Sequence, residues 1–524
     1  MKKILFLILT LCTSGMAYSD ITWSAPTTIS TTLTDAEAPK TVIDVNNNIT
    51  AIWIENDDIM ASSLPSGGSW STPVAISNAS NTSSNPTLGI DSSGNVTALW
   101  IENTQIQSAT LPFGGSWSAG TVISGTGASS PSLGVNASGD AVAVWSRSGF
   151  VESSTRISGT WSLVSVLSAA NSSFPHIAVN NGNALAAWHT LNVNGTDVIV
   201  TNLLTISSNT WGTPKNVFTG TAARLHNYPK IAIDFNGNGA IAWFRYDLID
   251  GNAYQNVQVL VSTLSYGAAA WSVPSILTAS GLRNPADLTI KLRFDTSGNA
   301  LVVWTNSYDG QTFTIESSLK LFGGSWSSPA LVYVPSLYAF DFDVALASGT
   351  ALLTNTTWDQ VSAIQIIAQE TDTTNPIFQA WTYANPVSTG DNSASPKCAI
   401  SISGGVLNAV VVWVSFDGTN NVINVATGTD SVIEPPLNVS VTQDVIDYGV
   451  YQDYTNTITW DASSNPNIIQ YNIYRNGIYF AATDSGTFQF IDHNAVQGET
   501  VTYGVAALTS SFRQSDIITF TLFP

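Results

Sequence analysis

Short apolar runs separated by polar turns containing glycine repeat along most of the chain. Pro86–Asp91 alternates apolar and small or polar residues and ends at Asp-Ser-Ser-Gly-Asn, a sequence typical of a tight hairpin turn. Val96–Trp100 is apolar at nearly every position, as in a strand covered on both faces. Gln105–Leu111, a Gly-Gly turn and a segment beginning at Trp117 follow. The pattern predicts four short strands per repeat.

Tryptophan makes the repeat countable, because it recurs at two alternating positions. One set opens the predicted fourth strands: Trp23, Trp70, Trp117, Trp161, Trp211, Trp271, Trp326 and Trp381. The other set closes the predicted second strands: Trp53, Trp100, Trp145, Trp188, Trp243, Trp304, Trp358 and Trp413. Members of the first set lie 44 to 60 residues apart, a period typical of four-stranded propeller blades.

The prediction is therefore an all-β chain with an eight-bladed β-propeller over residues 20–430. The segment at residues 22–30 has the pattern of a fourth strand with no repeat before it, whereas the eighth repeat has only three strands. We expect this N-terminal strand to complete the last blade and close the propeller. The seventh repeat, from Phe340, lacks Asp-x-x-Gly-Asn, so a seven-bladed propeller is the alternative.

Residues 1–19 have a basic start, an apolar run at 4–11 and small residues at Ala17 and Ser19, which predicts a cleaved secretory signal peptide. No later segment is long and apolar enough to span a membrane. The net charge of −20 argues against binding nucleic acid phosphates or anionic membrane surfaces. We expect a monomer that is secreted, periplasmic or at the cell surface. Without the signal peptide, Cys398 is the only cysteine, so no internal disulfide is possible.

Residues 434–524 resemble a fibronectin type III domain. The resemblance rests on Thr-Ile-Thr-Trp460-Asp, on Tyr471-Asn-Ile-Tyr-Arg-Asn-Gly477 and on Gly-Glu-Thr-Val-Thr-Tyr503. Alternation of apolar residues around Tyr471 and Tyr503 supports a sandwich independently. The resemblance implies an immunoglobulin-like sandwich that acts as a spacer or adhesion module.

The repeats more loosely resemble secreted bacterial propellers that include sialidase-like enzymes and propeller lectins. Sialidases carry Ser-x-Asp-x-Gly-x-x-Trp, whereas this chain has the longer spacing of Asp295-Thr-Ser-Gly-Asn-Ala-Leu-Val-Val-Trp304. The repeated tryptophans are expected to pack between neighbouring sheets. A lectin would require some of them to be exposed in grooves between blades, where their rings can stack on sugars.

We predict no metal and no cofactor. The four histidines are scattered, and Asp234-Phe-Asn-Gly-Asn fits only the first half of a calcium loop, because Arg245 stands where its glutamate should be. The same residues are interpreted as the hairpin turn of the fifth repeat.

Arginine, tyrosine and aspartate gather in the longer loops of the fourth to sixth repeats, on the face that carries the loops between second and third strands. Loops on a rigid scaffold are common binding sites. These loops are equally consistent with a solvated surface that binds no ligand. The candidate ligand-binding residues are Arg224, His226, Arg245, Tyr246, Asp247, Tyr254, Arg283 and Tyr308.

We expect a non-catalytic recognition or adhesion protein that binds carbohydrate or a surface protein through one propeller face. Three arginines in the loops favour an acidic ligand. The alternative is a sialidase-like glycoside hydrolase, which would require an arginine cluster and an acid-assisted tyrosine. The spacing of the candidate residues does not demand such a site, and no catalytic residue is assigned.

Overall fold

A computed structural model shows an all-β chain, with a single turn of 3₁₀ helix at Ile206–Ser208 among the described residues. The structure describes residues 21–78, 81–157, 159–192, 195–221, 224–249, 253–278, 289–307, 313–332, 338–347, 349–358, 365–372, 381, 385–388, 392–403, 406–430, 433–450, 452–465, 468–493, 495–509, 514–515 and 517–523. They fall into two compact units, 21–432 and 433–524. Over these ranges, no helix has the length and apolarity needed to cross a membrane.

The first unit consists of eight successive antiparallel strand groups, here called repeats 1 to 8. Two strands precede repeat 1: β1 (Thr22–Trp23) and β2 (Thr27–Thr28). Repeats 1 to 3 contain β3 (Ala36–Ile43), β4 (Ile49–Glu55), β5 (Asp58–Leu64) and β6 (Val74–Ala75); β7 (Ser83–Ile90), β8 (Val96–Glu102), β9 (Gln105–Leu111) and β10 (Thr121–Val122); and β11 (Ala128–Val135), β12 (Ala141–Arg147), β13 (Phe150–Ile157), β14 (Thr160–Trp161) and β15 (Ser165–Val166).

Repeats 4 to 6 follow the same order and have longer second and third strands. They contain β16 (Ser172–Val179), β17 (Asn183–Leu191), β18 (Asp197–Thr205), β19 (Thr210–Trp211) and β20 (Lys215–Thr219); β21 (Arg224–Ile233), β22 (Gly239–Ile249), β23 (Ala253–Leu264) and β24 (Ser275–Ile276); and β25 (Ile290–Phe294), β26 (Ala300–Ser307), β27 (Phe313–Lys320) and β28 (Ala330–Val332).

Repeats 7 and 8 end the first unit. They contain β29 (Tyr338–Ala347), β30 (Thr350–Trp358), β31 (Gln365–Asp372) and β32 (Asn385–Pro386); and β33 (Ala394–Ser403), β34 (Val406–Phe416) and β35 (Asn421–Asp430). Repeats 6 and 7 share one sheet through a single parallel bridge, Phe313 to Tyr338.

Pairing of the N-terminal strands completes repeat 8, as the sequence predicts. Both β1 and β2 pair antiparallel with β35, with Trp23 opposite Gly428 and Thr28 opposite Asn424. The Thr28 hydroxyl also donates to the Asn424 Oδ1 at 2.7 Å. Each first strand contacts the first strand of the next repeat, and β33 contacts β3. The first strands therefore form a closed cycle around the centre of the unit.

Among the described residues of this unit, eight buried clusters lie largely between the sheets of neighbouring repeats. One cluster, for example, combines Val144 of repeat 3 with Trp188 of repeat 4. The second strands are buried along most of their length, which explains their apolar sequences.

Repeat 7 departs from the predicted tryptophan pattern. In repeat 6, Trp304 pairs with Ile290, whereas the equivalent residue opposite Phe342 in repeat 7 is Asn355. Trp358 lies three residues further along β30, opposite Tyr338. The assignment of Trp358 to the repeated second-strand position was wrong, because Asn355 occupies that buried position.

The second unit contains sheets of three and four strands. Its strands are β36 (Leu437–Asp447), β37 (Gln452–Asp461), β38 (Ile468–Arg475), β39 (Ile478–Asp484), β40 (Gln489–Asp492), β41 (Val501–Thr509) and β42 (Ile518–Leu522). The orders are β36-β37-β40 and β39-β38-β41-β42. Trp460, Tyr471 and Tyr503 lie in one buried cluster, and the Asn456 side-chain amide donates to the Tyr503 hydroxyl at 3.1 Å.

Candidate functional site

The two tryptophan sets have different environments. At the second-strand position, seven indoles are essentially inaccessible: Trp53, Trp100, Trp145, Trp188, Trp243, Trp304 and Trp413. At the fourth-strand position, all are half-buried except the buried Trp381. Each half-buried indole packs at the edge of a core cluster, as Trp211 and Trp271 do. Aromatic surface therefore reaches solvent at the fourth-strand position.

Buried glutamates fix several second-strand indoles. The indole N–H groups of Trp53, Trp100, Trp145 and Trp304 donate to the Oε2 atoms of Glu55, Glu102, Glu152 and Glu316 at 2.8 to 3.1 Å. The same carboxylates also accept hydrogen bonds from segments that connect the repeats. For example, the Asn81 amide donates to Glu102 at 2.7 Å. These carboxylates satisfy buried donors, which is a packing role.

The Asp-x-x-Gly-Asn turn positions an exposed aromatic side chain. In repeat 5, Asp234 Oδ1 accepts the backbone N–H of Asn238 at 2.8 Å, and Asp234 Oδ2 accepts its side-chain amide at 2.7 Å. The Asn238 Oδ1 then accepts the backbone N–H of Tyr266, in the second turn of the repeat, at 2.9 Å. The Asp234 carboxylate is thus used by its own turn, in agreement with the interpretation as a hairpin turn.

Glycine is required beneath this aromatic ring. Gly237 has φ 89°, and a Cβ there would lie 2.6 Å from the Tyr266 ring. Repeats 2 and 6 use the same arrangement, in which Asn95 and Asn299 accept from the backbone N–H of Phe113 and Phe322 at 2.9 Å. The three rings are 66%, 58% and 59% exposed for Tyr266, Phe113 and Phe322. A hydrogen-bonded turn therefore holds an exposed ring at each site.

A groove between repeats 4 and 5, here called the turn-face groove, combines these features. It has a volume of about 520 Å³. Its lining includes Trp211, Lys215, Gly237, Tyr266 and Trp271, together with threonine, serine and asparagine side chains. The Trp271 indole donates to the Thr201 hydroxyl at 2.9 Å, and the Lys215 ammonium donates to the Ala269 carbonyl at 3.0 Å. These bonds tie the two walls of the groove together.

An equivalent groove of about 490 Å³ lies between repeats 1 and 2, with Phe113 and Trp117 on its wall. Gly94 and Gly114 occupy the positions that Gly237 and Gly267 have in the turn-face groove. Both grooves lie on the face that carries the turns between first and second strands and between third and fourth strands. This is the face opposite the loops on which the sequence placed the candidate ligand-binding residues.

The predicted loop-face residues are partly brought together. Arg224 pairs with Asp247 across strands β21 and β22, Leu225 with Tyr246, and His226 with Arg245. His226 and Tyr246 are buried: the Trp243 indole donates to His226 Nδ1 at 3.0 Å, and the Asn227 amide donates to the Tyr246 hydroxyl at 2.8 Å. Arg245 donates to the Gln258 side-chain oxygen.

Other members of that set are less completely described. Tyr254 pairs with Leu248 at the end of the β22–β23 hairpin, whereas Arg283 and Tyr308 lie outside the described residues. The nearby His189 donates from Nε2 to Asp197 Oδ1 at 2.7 Å, and both residues are buried. A ligand-contacting role for the loop-face set remains a prediction.

Comparison with known proteins gives no match to a family profile and none to a curated protein. Among solved structures, an ulvan lyase aligns with 10% identity and a TM-score of 0.43, covering 77% of this chain and 95% of that chain. A Hadza microbial sialidase has 10% identity, a TM-score of 0.34 and coverages of 74% and 73%.

A lectin of Aleuria aurantia aligns with 12% identity and a TM-score of 0.33, covering 58% of this chain and 97% of that chain. These are carbohydrate-active or carbohydrate-binding proteins. At such TM-scores the similarity carries no argument about the ligand of this chain, which has to be inferred from the grooves themselves.

Proposed function

We propose that the protein is a secreted glycan-binding protein that holds sugars in the turn-face groove and in the equivalent groove between repeats 1 and 2. The observation that carries the proposal is the convergence of Trp211, Trp271 and the exposed Tyr266 on one groove of about 520 Å³. Concave sites of this size, with aromatic walls and a few polar groups, are typical of small-ligand binding. Sugar rings combine an apolar face with hydroxyls, so aromatic rings beside serine, threonine and asparagine complement them.

The proposed architecture is an eight-bladed propeller followed by a fibronectin type III-like domain. Eight successive strand groups, a closed cycle of first strands and the pairing of β1 and β2 with β35 support the propeller. Sheets of three and four strands around Trp460, Tyr471 and Tyr503 support the sandwich. The N-terminal sequence supports cleavage after residue 19 and export, with the second unit as a spacer.

Binding without catalysis is the function that the described carboxylates favour. Glu55, Glu102, Glu152 and Glu316 accept indole hydrogen bonds in the core, and Asp234 accepts from its own turn. A hydrolase would need carboxylates poised beside the bound sugar. Screening the mature protein on a glycan array and on fluorogenic glycosides distinguishes the two functions: array binding without turnover is expected, and turnover would favour the hydrolase.

Two exposed aromatics provide the matched test of the site. Tyr266 and Phe235 are 66% and 65% exposed, but only Tyr266 lines the turn-face groove. Loss of an aromatic contact of about 1–1.5 kcal/mol should weaken binding roughly tenfold in Tyr266→Ala. The control Phe235→Ala should bind as the parent does. Equal affinities of all three proteins for the strongest array ligand would overturn the assignment of the groove.

A further inference from the structure

Cationic side chains gather at the centre of the first-strand cycle. The cross-strand register aligns one position in all eight first strands, each paired with the residue that precedes the second-strand tryptophan position. The eight residues at this position are Lys40, Thr87, Ser132, His176, Lys230, Lys291, Asp343 and Lys397. Arg293 and Asp341 lie two residues away on their strands.

Their charged groups lie within electrostatic reach of groups across the cycle as well as on neighbouring strands. Lys40 of repeat 1 lies within electrostatic reach of Lys291 of repeat 6, and His176 of repeat 4 within reach of Lys291 and Arg293. Because the first strands contact one another in a closed cycle, these groups face a common central space. His176, Lys230 and Arg293, on the neighbouring strands β16, β21 and β25, lie within electrostatic reach of one another. Lys40, Lys230 and His176 are partly accessible, so solvent reaches this space.

Two carboxylates balance only part of the charge. Lys291 pairs with Asp343 at 3.0 Å, and Lys397 pairs with Asp341 at 3.4 Å. Asp343 Oδ2 also accepts the Cys398 backbone N–H at 3.3 Å. Within the described ranges, Lys40 and Lys230 have neither a hydrogen-bond acceptor nor an ion-pair partner, and Arg293 has only the Leu292 carbonyl at 3.1 Å. Five cations against two carboxylates leave three positive charges in a protein of net charge −20.

The His176 side chain at this position can only donate toward the centre. His176 Nδ1 accepts the Ile231 backbone N–H at 3.3 Å, so its Nε2 carries the proton of the neutral ring. Burial and the nearby Lys230, Arg293 and Lys291 hold the pKa of His176 well below its ordinary value. Ammonium groups have donors and no acceptor. The central space therefore presents donors without matching acceptors at Lys40, His176 and Lys230.

We propose that this central space, on the side lined by repeats 4 to 6, is a binding site for a small multivalent oxyanion, held by the Lys230 ammonium, the Arg293 guanidinium and Nε2 of His176. A partly desolvated excess of positive charge is costly unless it is paired, and a sulfate-like anion supplies both charge and several acceptors. The site uses none of the residues of the turn-face groove, and the inference does not depend on glycan binding.

Thermal unfolding and calorimetric titration of the full mature protein with sodium sulfate test the site. Sodium chloride at equal ionic strength is the control for general screening. Sulfate should bind with measurable heat and raise the unfolding midpoint, whereas chloride should not. In Lys230→Met/Arg293→Met, the sulfate dissociation constant should rise at least tenfold. Citrate in place of sulfate should give the same pattern, because the proposal requires only charge and oxygen acceptors.

Lys320→Met is the matched control variant. Lys320 is also partly buried. It is the last residue of the third strand β27, away from the central space, and its ammonium donates to the Leu321 carbonyl. Its sulfate affinity should equal that of the parent. Equal affinity of the double variant and the parent, or equal effects of chloride and sulfate, would overturn the proposal. If the double variant does not fold, the single Lys230→Gln variant must still lose affinity several-fold for the proposal to stand.

Discussion

The second-strand and fourth-strand tryptophans have the same side chain and opposite surroundings. Trp243 is fully buried and donates to His226 inside repeat 5, whereas Trp271 of the same repeat is half-buried on the wall of the turn-face groove. The difference follows from position, because second strands lie in the middle of each sheet and fourth strands at its outer edge. The two tryptophan sets therefore recur equally often in the sequence but differ in role. The second-strand set lies in the core, and the fourth-strand set is also accessible to solvent.

The largest expected effect comes from truncating a buried indole. Trp100→Ala should lower the free energy of unfolding by about 3–5 kcal/mol, because it opens a large cavity and leaves Glu102 without one of its donors. Trp117→Ala, at the half-buried position of the same repeat, should cost about half as much. Denaturant unfolding followed by circular dichroism measures both, and equal losses would break the distinction between the sets.

A smaller effect is expected from the glutamates that anchor the buried set. Glu102 accepts the Trp100 indole at 2.9 Å and the Asn81 amide at 2.7 Å. Glu102→Gln places an amide N–H against one of these donors, which should cost about 1–3 kcal/mol. Glu37→Gln, at an exposed position, should leave the stability unchanged. If both variants unfold alike, the glutamate does not anchor the indole.

Changing pH sharpens the contrast between the centre of the first unit and its edge. Burial and neighbouring cations lower the pKa of Lys40 and Lys230 to about 8. Between pH 8 and about 10 the unfolded chain then holds more protons than the folded chain, so stability should rise with pH. Thermal unfolding across this range measures the slope. The slope should flatten in Lys40→Met/Lys230→Met and persist in Lys320→Met.

The smallest stability effect is expected at the exposed ring. Tyr266→Ala should change the free energy of unfolding by no more than about 0.5 kcal/mol, because the side chain is 66% exposed. Its effect should instead appear in glycan affinity. A loss of stability comparable to that of Trp100→Ala would show that Tyr266 serves the core rather than a ligand.

Sequence patterns were sufficient to predict the four-stranded repeat and its turns. Alternation, Asp-x-x-Gly-Asn and tryptophan spacing are local signals, and they identified the strands of most repeats and the pairing of residues 22–30 with repeat 8. Repeat 7 was the exception, because Asn355 occupies the equivalent position and Trp358 lies at the end of β30.

The sites depend on contacts that the sequence does not reveal. Lys40 and Lys291 are about 250 residues apart in sequence, and the closed cycle brings them within electrostatic reach of each other. His226 and Tyr246 are residue types common in binding loops, but here they lie in the long strands β21 and β22 and are buried. The exposed rings did carry a signal: in repeats 2, 5 and 6 an aromatic precedes the glycine of the second turn, after a first turn that ends in asparagine.

The most direct test of glycan binding is ¹⁹F NMR of the mature protein labelled with 5-fluorotryptophan. Signals of Trp211, Trp271, Trp188 and Trp243 are assigned from single Trp→Phe variants, and the strongest array ligand is then titrated. We expect the Trp211 and Trp271 signals to shift until the site is saturated, because both indoles line the turn-face groove, and those of the buried Trp188 and Trp243 to stay in place. Saturable binding with no shift of Trp211 or Trp271 would contradict this prediction.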